Sequence, residues 1–358
     1  MSNLQPTKLI ENRVWRSYRG GKLLDAFHGH EDGSDGFLPE DWLASVVTAI
    51  NPERADAPEQ EGLSKTETAQ GSCYLKDLIL QDPEGFLGSA HRARFGENFG
   101  VLTKFLDAAE RLPIQVHPDK IQAKRLFQSD YGKTEAWYIL EGRVIDGVEP
   151  YILLGFQEDV PREQLQALFA AQDIAGLEAL MHRMAVRPGE VYLIEGGTPH
   201  AIGSGCFMLE IQEPTDYTIS LERRNAFGED LPEFFCHMGV GLEKMFDCFH
   251  YEGKPRAEML RRFRLKPQMM ERNAAYTLTA LITYENTACF ALNRIDVHGP
   301  HTRRTEGGPS ALVVVAGEGK VGPNAVRRGD CLFVPAGEEA FPVEGDGLVL
   351  LECLPPAG

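Results

Sequence analysis

GEVYLIEGGTPH (189–200) and GDCLFVPAGEEA (329–340) repeat one pattern, and this pattern decides the fold that the sequence predicts. In both stretches a turn glycine precedes a strand of five residues, a second turn and then a position that we expect to face the interior. The first copy has His200 at that position, whereas the second has Ala340. Chance similarity between two turn–strand–turn segments is the alternative interpretation.

The pattern resembles the second sequence motif of the cupin superfamily. This resemblance implies a mainly β fold with two cupin-like β-barrels of the jelly-roll type. The histidine is present only in the first copy, so we expect a metal-bearing first barrel and a metal-free second barrel. The many short strands separated by turn signals around both copies favour the same fold class.

A short helical insertion interrupts the strands of the first half. The spacing i, i+3, i+4 and i+7, typical of an amphipathic helix, relates four apolar residues: Leu177, Leu180, Met181 and Met184. Asp173 is placed to cap the start of this helix. A short helix is expected before it, so the insertion is predicted at about 161–184.

These patterns divide the chain into three parts. Residues 1–225 are predicted to form the metal-bearing cupin domain, with the helical insertion inside it. Residues 226–270 have partly helical patterns and are expected to connect the domains. Residues 271–358 are strand-rich and are predicted to form the second, metal-free cupin domain.

Four side chains in the first half have the chemistry of a metal site: Gln115, His117, Glu135 and His200. In LPIQVHP (112–118) apolar residues alternate with Gln115 and His117, so a strand would direct both toward one interior point. Two imidazoles, a carboxylate and an amide oxygen suit Zn²⁺ or a related divalent ion. Each residue also has an ordinary alternative: a hydrogen-bonded or surface histidine, a satisfied glutamine, or an ion pair between Glu135 and Lys133. The combination favours a metal, because burying these groups without a cation would cost free energy.

Charge and cysteine content restrict the partners and the compartment. The chain has 36 Lys and Arg against 53 Asp and Glu, a net charge of −17, which disfavours binding to nucleic acid or to anionic membrane surfaces. An anionic small substrate would need a local basic pocket. Seven cysteines without a CxxC pair indicate free thiols, and no apolar run has the length of a membrane span. We therefore expect a cytoplasmic protein, a monomer or weak dimer, that acts on a small molecule.

Four motifs together resemble type I mannose-6-phosphate isomerases: LPIQVHPDK (112–120), GKTEAWYIL (132–140), GTPHAIG (197–203) and EIQEPTD (210–216). The resemblance runs from about Leu9 to the C-terminus. It implies an enzyme that uses one Zn²⁺ per chain to interconvert mannose 6-phosphate and fructose 6-phosphate, for which we expect a cis-enediol intermediate. It implies active-site roles for Lys133 and Glu210, and metal ligands at the positions already chosen from the residues: Gln115, His117, Glu135 and His200.

One position departs from the family pattern. The family has an arginine ten residues after the glutamate of EIQ, and Ser220 stands there in this chain. Arg223 is the catalytic candidate that could re-enter the site, with Arg224 beside it; a solvated pair is the alternative. The departure leaves open whether the substrate is mannose 6-phosphate, another sugar or sugar phosphate, or a sugar that is bound without turnover.

The sequence also leaves the general base open. Lys133 lies two residues from Glu135, so on a strand both would face the cavity, where Lys133 could shuttle protons, balance charge or contact phosphate. Glu210 could be the base or could orient a metal ligand. Asp216 is a further acidic residue that could equally belong to a turn.

Overall fold

The computed structural model describes residues 4–51, 54, 57–69, 71–305 and 307–357. In chain order its strands are β1 (Thr7–Lys8), β2 (Arg13–Val14), β3 (Glu40–Leu43), β4 (Lys65–Thr68), β5 (Gly71–Tyr74), β6 (Leu102–Asp107), β7 (Gln115–Val116), β8 (Glu135–Gly142), β9 (Tyr151–Phe156), β10 (Met181–Ala185), β11 (Val191–Ile194), β12 (His200–Ile202), β13 (Cys206–Gln212), β14 (Ile219–Ser220), β15 (Arg264–Leu265), β16 (Gln268–Arg272), β17 (Tyr276–Ile282), β18 (Ala291–Val297), β19 (His301–Arg304), β20 (Ser310–Val321), β21 (Asn324–Arg327), β22 (Cys331–Val334) and β23 (Ala340–Leu354). The helices are α1 (Lys22–His28), α2 (Leu75–Gln81), α3 (Pro83–Leu87), α4 (Ser89–Phe95), α5 (Lys120–Phe127), α6 (Arg162–Ala171), α7 (Ile174–Ala179), α8 (Phe234–His237) and α9 (Arg256–Phe263), with a 3₁₀ helix at Lys244–Cys248.

The strands pair in antiparallel fashion into three large sheets and the hairpin β4–β5. A seven-stranded sheet has the order β15-β11-β8-β13-β6-β3-β2, and a five-stranded sheet has the order β10-β9-β12-β7-β14. The third sheet has nine strands, and in it the N-terminal β1 pairs with β22 of the C-terminal half. None of these sheets closes on itself among the described residues. The mainly β fold is thus confirmed, whereas the two cupin barrels stay a prediction.

The seven-stranded sheet lies between the other two sheets. On β8, Ala136 and Tyr138 pack in a large core shared with the C-terminal sheet, whereas Trp137 and Ile139 pack in a second core shared with the five-stranded sheet. This division follows from the alternation of side chains along a strand. The outer face of the five-stranded sheet is covered by α6, α7, α8 and the 3₁₀ helix. Polar residues on the face of the seven-stranded sheet that carries Trp137 and Ile139 therefore lie between this sheet and the five-stranded sheet.

The repeat that the sequence predicts is present in the structure. Gly189 and Gly329 both have positive φ angles, 87° and 95°, a conformation that glycine adopts without steric cost. Each is followed by a four-residue strand, β11 or β22, and by a turn. His200 is then the first residue of β12, and Ala340 is the first residue of β23. The two copies therefore build the same local structure with a different residue at the same position.

The helical insertion is shorter than predicted. α6 and α7 account for its first part, and the Asp173 side chain caps α7 by accepting a hydrogen bond from the Gly176 amide at 2.9 Å. The prediction is wrong beyond Ala179, because Met181 and Met184 belong to β10. Met181 packs under the helices and Met184 packs between the sheets, whereas Arg183 and Ala185 of the same strand are exposed. The register of this strand shifts between Met181 and His182, and the two methionines, three residues apart on opposite faces, imitate the spacing of a helix.

The structure describes the state of the cysteines and the length of the helices. All seven cysteines are free thiols, and six of them are buried. Burial raises the pKa of Cys206 and of Cys353 to about 12, so these thiols stay protonated and unreactive at neutral pH. No helix in the described ranges is long and apolar enough to cross a bilayer.

The core between the middle and C-terminal sheets predicts a large cost for truncating Phe105. This side chain is fully buried, and its ring lies 4.9 Å from that of Phe27 and 6.0 Å from that of Phe207. We expect Phe105→Ala to lower the free energy of unfolding by about 3–5 kcal/mol, measured by urea denaturation. Phe37→Ala, at a ring that is 39% exposed, is the control and should cost about 1 kcal/mol or less. Equal losses in both variants would contradict this packing.

Candidate active site

Side chains from two facing sheets converge on the space between them. In the five-stranded sheet, Gln115 on β7 lies directly opposite His200 on β12. In the seven-stranded sheet, Glu210 on β13 lies opposite Lys104 on β6, and Glu135 begins the adjacent β8. These three residues alternate with residues of the core on the other face, so they point toward the five-stranded sheet.

His117, Glu135 and His200 form a compact buried cluster. Their potential ligand atoms all lie within 4.8 Å of one another. The Nε2 atom of His117 lies 3.1 Å from one carboxylate oxygen of Glu135, and the Nε2 atom of His200 lies 3.3 Å from the other. At most 1% of each side chain is exposed to solvent. The structure thus brings together residues that are up to 83 positions apart in the sequence.

Backbone carbonyl groups orient both imidazoles. His117 Nδ1 lies 2.8 Å from the Tyr217 carbonyl, and His200 Nδ1 lies 2.9 Å from the Thr198 carbonyl. A proton on Nδ1 satisfies each carbonyl and leaves the Nε2 lone pair toward the cluster. Burial, together with the nearby charge of Lys133, lowers the pKa of His117 to about 3, and burial also lowers the pKa of His200. Both rings are therefore neutral at neutral pH, which is the form that binds metal ions.

Gln115 and Lys133 complete the wall of the cluster. The Gln115 amide nitrogen lies 3.3 Å from His200 Nε2, and a flip of the amide would present its oxygen instead. Lys133 Nζ lies 2.9 Å from His117 Nε2 and 3.1 Å from Glu135. The ion pair between Lys133 and Glu135 is thus present, and it places a positive charge against two of the donor atoms. The cluster therefore already contacts one positively charged group, the ammonium group of Lys133.

Glu210 is a buried carboxyl group with access to the same space. Burial and the negative charge of Glu135 raise its pKa to about 8. Lys104 opposes this shift through its ammonium group, which lies 3.5 Å from the Glu210 carboxylate. A carboxyl group with a pKa near neutral can both hold and release a proton at physiological pH, as general acid–base catalysis requires.

A cavity extends from this cluster toward the N-terminal segment of the chain. Its wall includes Glu135 of the cluster and the neighbouring residues Gln115, Lys133 and Glu210. Four further charged residues also line it: Arg16, Glu40, Lys104 and Asp216. Glu40 is the centre of this second group, since it accepts hydrogen bonds from Tyr18 Oη at 2.6 Å, Trp42 Nε1 at 2.7 Å and Arg16 Nε at 3.0 Å. Although burial opposes it, the charges of Arg16 and Lys104 lower the pKa of Glu40 to about 2.

Arg16, Glu40 and Lys104 are cavity residues that were not predicted from the sequence. No local motif marks them, because their chemistry arises from contacts between distant segments. Arg16 pairs with Asp216, which is 200 positions away, through two hydrogen bonds of 3.1 Å. Asp216 is therefore a cavity residue with a defined partner and not simply a residue of a turn.

The structure does not bring Arg223 or Arg224 to the cavity. The Arg223 guanidinium lies over the Phe169 ring at 4.6 Å, on the helical side of the five-stranded sheet. Arg224 is largely exposed and pairs with Asp230 at 2.8 Å. The chain leaves the cavity after Ser220, whose hydroxyl donates a hydrogen bond to the Glu222 carbonyl at 3.0 Å. Arg224 is thus a solvated residue, as the alternative interpretation of this pair predicts. The position of Arg223 gives no support for a contact with the substrate.

Comparisons with known proteins point to one group of enzymes. The family model "Phosphomannose isomerase type I, catalytic domain" matches residues 58–136. The mannose-6-phosphate isomerase of Streptococcus mutans is 29% identical over 272 residues, which are 73% of this chain and 77% of that protein. Mannose-6-phosphate isomerase ManA of Bacillus subtilis is 27% identical over 266 residues, which are 71% of this chain and 76% of that protein.

Solved structures show the same fold. The crystal structure of the mannose 6-phosphate isomerase from Bacillus subtilis superposes with a TM-score of 0.71 at 22% identity and covers 98% of this chain and 99% of that one. At this identity the likeness shows the fold alone. Together with the sequence matches, it confirms the resemblance of this chain to type I phosphomannose isomerases that its motifs predict.

Proposed function

We propose that the protein is a metal-dependent aldose–ketose isomerase that interconverts mannose 6-phosphate and fructose 6-phosphate. The observation that carries the proposal is the buried cluster of His117, Glu135 and His200, whose Glu135 lines one cavity together with Glu210. The named activity of the similar proteins supports the choice of reaction. One metal site per chain, with Gln115 as a fourth ligand, is part of the proposal.

The donor set fits Zn²⁺. Two neutral imidazoles whose Nδ1 atoms face backbone carbonyls, and a carboxylate between them, are typical ligands of a zinc ion that keeps an open coordination position. Although burial opposes it, contact with Lys133 and His117 lowers the pKa of Glu135, so this ligand is ionised. When bound, Zn²⁺ would supply a Lewis acid that stabilises negative charge on the oxygens of the substrate.

Glu210 and Lys133 are the residues that we propose to move protons. Isomerisation transfers a proton between C2 and C1 of the sugar through a cis-enediol, and it needs a group that takes the proton and returns it. Glu210 is a carboxyl group whose pKa burial raises above its usual range, which suits a group that takes up a proton and returns it. Lys133 carries an ammonium group that can stabilise an oxyanion or exchange its proton. Both line the cavity.

The larger organisation proposed from the sequence is consistent with this function. We propose a metal-bearing cupin domain at 1–225, a connection at 226–270 and a metal-free cupin domain at 271–358. The repeat of β11–β12 in β22–β23, with His200 replaced by Ala340, supports the metal-free second domain. A cytoplasmic location and a monomer or weak dimer remain part of the proposal, and the free cysteines support a reducing compartment.

Removal and return of the metal tests the proposed function. We expect the zinc-loaded protein to convert mannose 6-phosphate to fructose 6-phosphate in a coupled assay, to lose the activity in a chelator, and to regain it when Zn²⁺ is added back. A panel with other sugar phosphates and with unphosphorylated mannose separates this substrate from the alternatives. Binding of mannose 6-phosphate without turnover by the metal-loaded protein would instead identify a non-catalytic sugar-binding protein.

A further inference from the structure

We propose that Arg16 binds the anionic group of the substrate and sets the preference of the cavity for a phosphorylated sugar. This inference rests on the proposed function, because it assumes a sugar phosphate as ligand. A chain with a net charge of −17 repels a dianion unless the cavity offers cations of its own. Arg16 is the one arginine among the described residues that line the cavity.

The other two cationic residues of the cavity wall, Lys133 and Lys104, contact the residues that we propose to bind the metal or to transfer protons. Lys133 contacts His117 and Glu135, and Lys104 lies 3.5 Å from Glu210. Arg16 instead contacts Asp216, Glu40 and Asn51, and none of its contacts involves the metal cluster. An anion at Arg16 would therefore be held by a part of the wall that is separate from the proton-transferring groups.

Hydrogen bonds hold the guanidinium group of Arg16 in one orientation and leave part of it open for binding an anion. Its Nε donates to Glu40, and its two terminal nitrogens donate to Asp216 and Asn51. These four hydrogen bonds leave one of the five N–H groups of a guanidinium free. The group also lies over the Trp42 ring at 5.0 Å, and 12% of the side chain is exposed. A positioned and partly open guanidinium loses little entropy when it binds phosphate.

Two hydroxyl groups extend this part of the wall. Ser17, next to Arg16, and Thr218, two residues after Asp216, both line the cavity. Hydroxyl groups donate hydrogen bonds to phosphate oxygens without adding charge. Asp216 weakens the binding of an anion, because its carboxylate accepts hydrogen bonds from two N–H groups of Arg16 and offsets the positive charge of the guanidinium. Asp216 thus limits the affinity for an anion.

Substitution of Arg16 and of Asp216 should have opposite effects. With zinc-loaded enzyme, we expect Arg16→Gln to raise the KM for mannose 6-phosphate and the inhibition constant of inorganic phosphate about 10- to 100-fold, with a smaller effect on kcat. Arg16→Lys should recover part of this loss. Asp216→Asn should tighten inhibition by inorganic phosphate about threefold or more, because it frees the charge of Arg16.

Arg19→Gln is the matched control, since Arg19 lies on the same segment but pairs with Glu110 at 2.8 Å outside the cavity. It should leave KM and phosphate inhibition unchanged. An unchanged inhibition constant in Arg16→Gln, or weaker inhibition by phosphate in Asp216→Asn, would overturn the proposal.

A binding measurement separates the proposed role of Arg16 from the proposed isomerase activity. If the wild-type enzyme shows no turnover, calorimetric titration of the zinc-loaded protein with inorganic phosphate still compares the wild type with both variants. Equal phosphate affinity in the three proteins would reject the role of Arg16, whatever reaction the cavity performs. If Arg16→Gln does not fold, the Asp216→Asn variant decides, because its Arg16 is intact.

Discussion

A His200→Ala protein is expected to contain no stoichiometric zinc and to lose isomerase activity. His200 contributes an Nε2 atom 3.3 Å from Glu135, and no other histidine of the described residues reaches the cluster besides His117. Loss of one of the two proposed imidazole ligands should remove most of the affinity for the metal. Since a bound metal contributes several kcal/mol of stabilisation to a developing oxyanion, kcat should fall by about 10³-fold or more. Elemental analysis and the coupled assay measure the two effects on the same preparation.

The control for this variant is His298→Ala. His298 is exposed and contacts Thr277 at 2.9 Å in the C-terminal sheet, so its loss should alter neither zinc content nor turnover. The circular dichroism spectrum and the melting temperature of the variants establish that both are folded. A His200→Ala protein that keeps one zinc per chain would show that the ligand set is wrong, even if its activity is low.

Glu210→Gln is expected to separate proton transfer from metal binding. The amide has the size of the carboxyl group and, like its protonated form, can donate a hydrogen bond to Glu135. An amide cannot take up and release a proton at neutral pH, however, so kcat should fall by about 10²- to 10⁴-fold while the zinc content stays at the wild-type level. KM should change little, because the interactions with the ground state of the substrate are largely preserved.

Glu141→Gln provides the same chemical change at an exposed position on the neighbouring β8. It should have wild-type kinetics. Should Glu210→Gln retain kcat within about threefold of the wild type, general acid–base catalysis by Glu210 would be excluded. Lys133, which contacts both His117 and Glu135, would then be the remaining candidate for the proton carrier.

The candidate metal ligands could be found from the sequence because each lies in a local pattern. Gln115 and His117 alternate with apolar residues in the segment that contains β7, and His200 occupies a fixed position after a turn glycine whose φ angle is positive. The period of two residues already determines that such side chains share a face. The same logic failed at Met181 and Met184, since these residues pack on opposite faces of a short strand whose register shifts after Met181, and their spacing of three imitates a helix.

Local sequence therefore determined the mainly β class, the repeated turn–strand units and the chemistry of the candidate metal cluster. Only the tertiary structure decided which residues surround that cluster. It places Arg16 from the N-terminal segment against Asp216, and Glu40 against Lys104, while it directs Arg223 away onto Phe169. These contacts depend on the order of strands in the sheets and on which sheets face each other. Pairing between distant segments is set by the packing of the whole chain, and no short-range pattern encodes it.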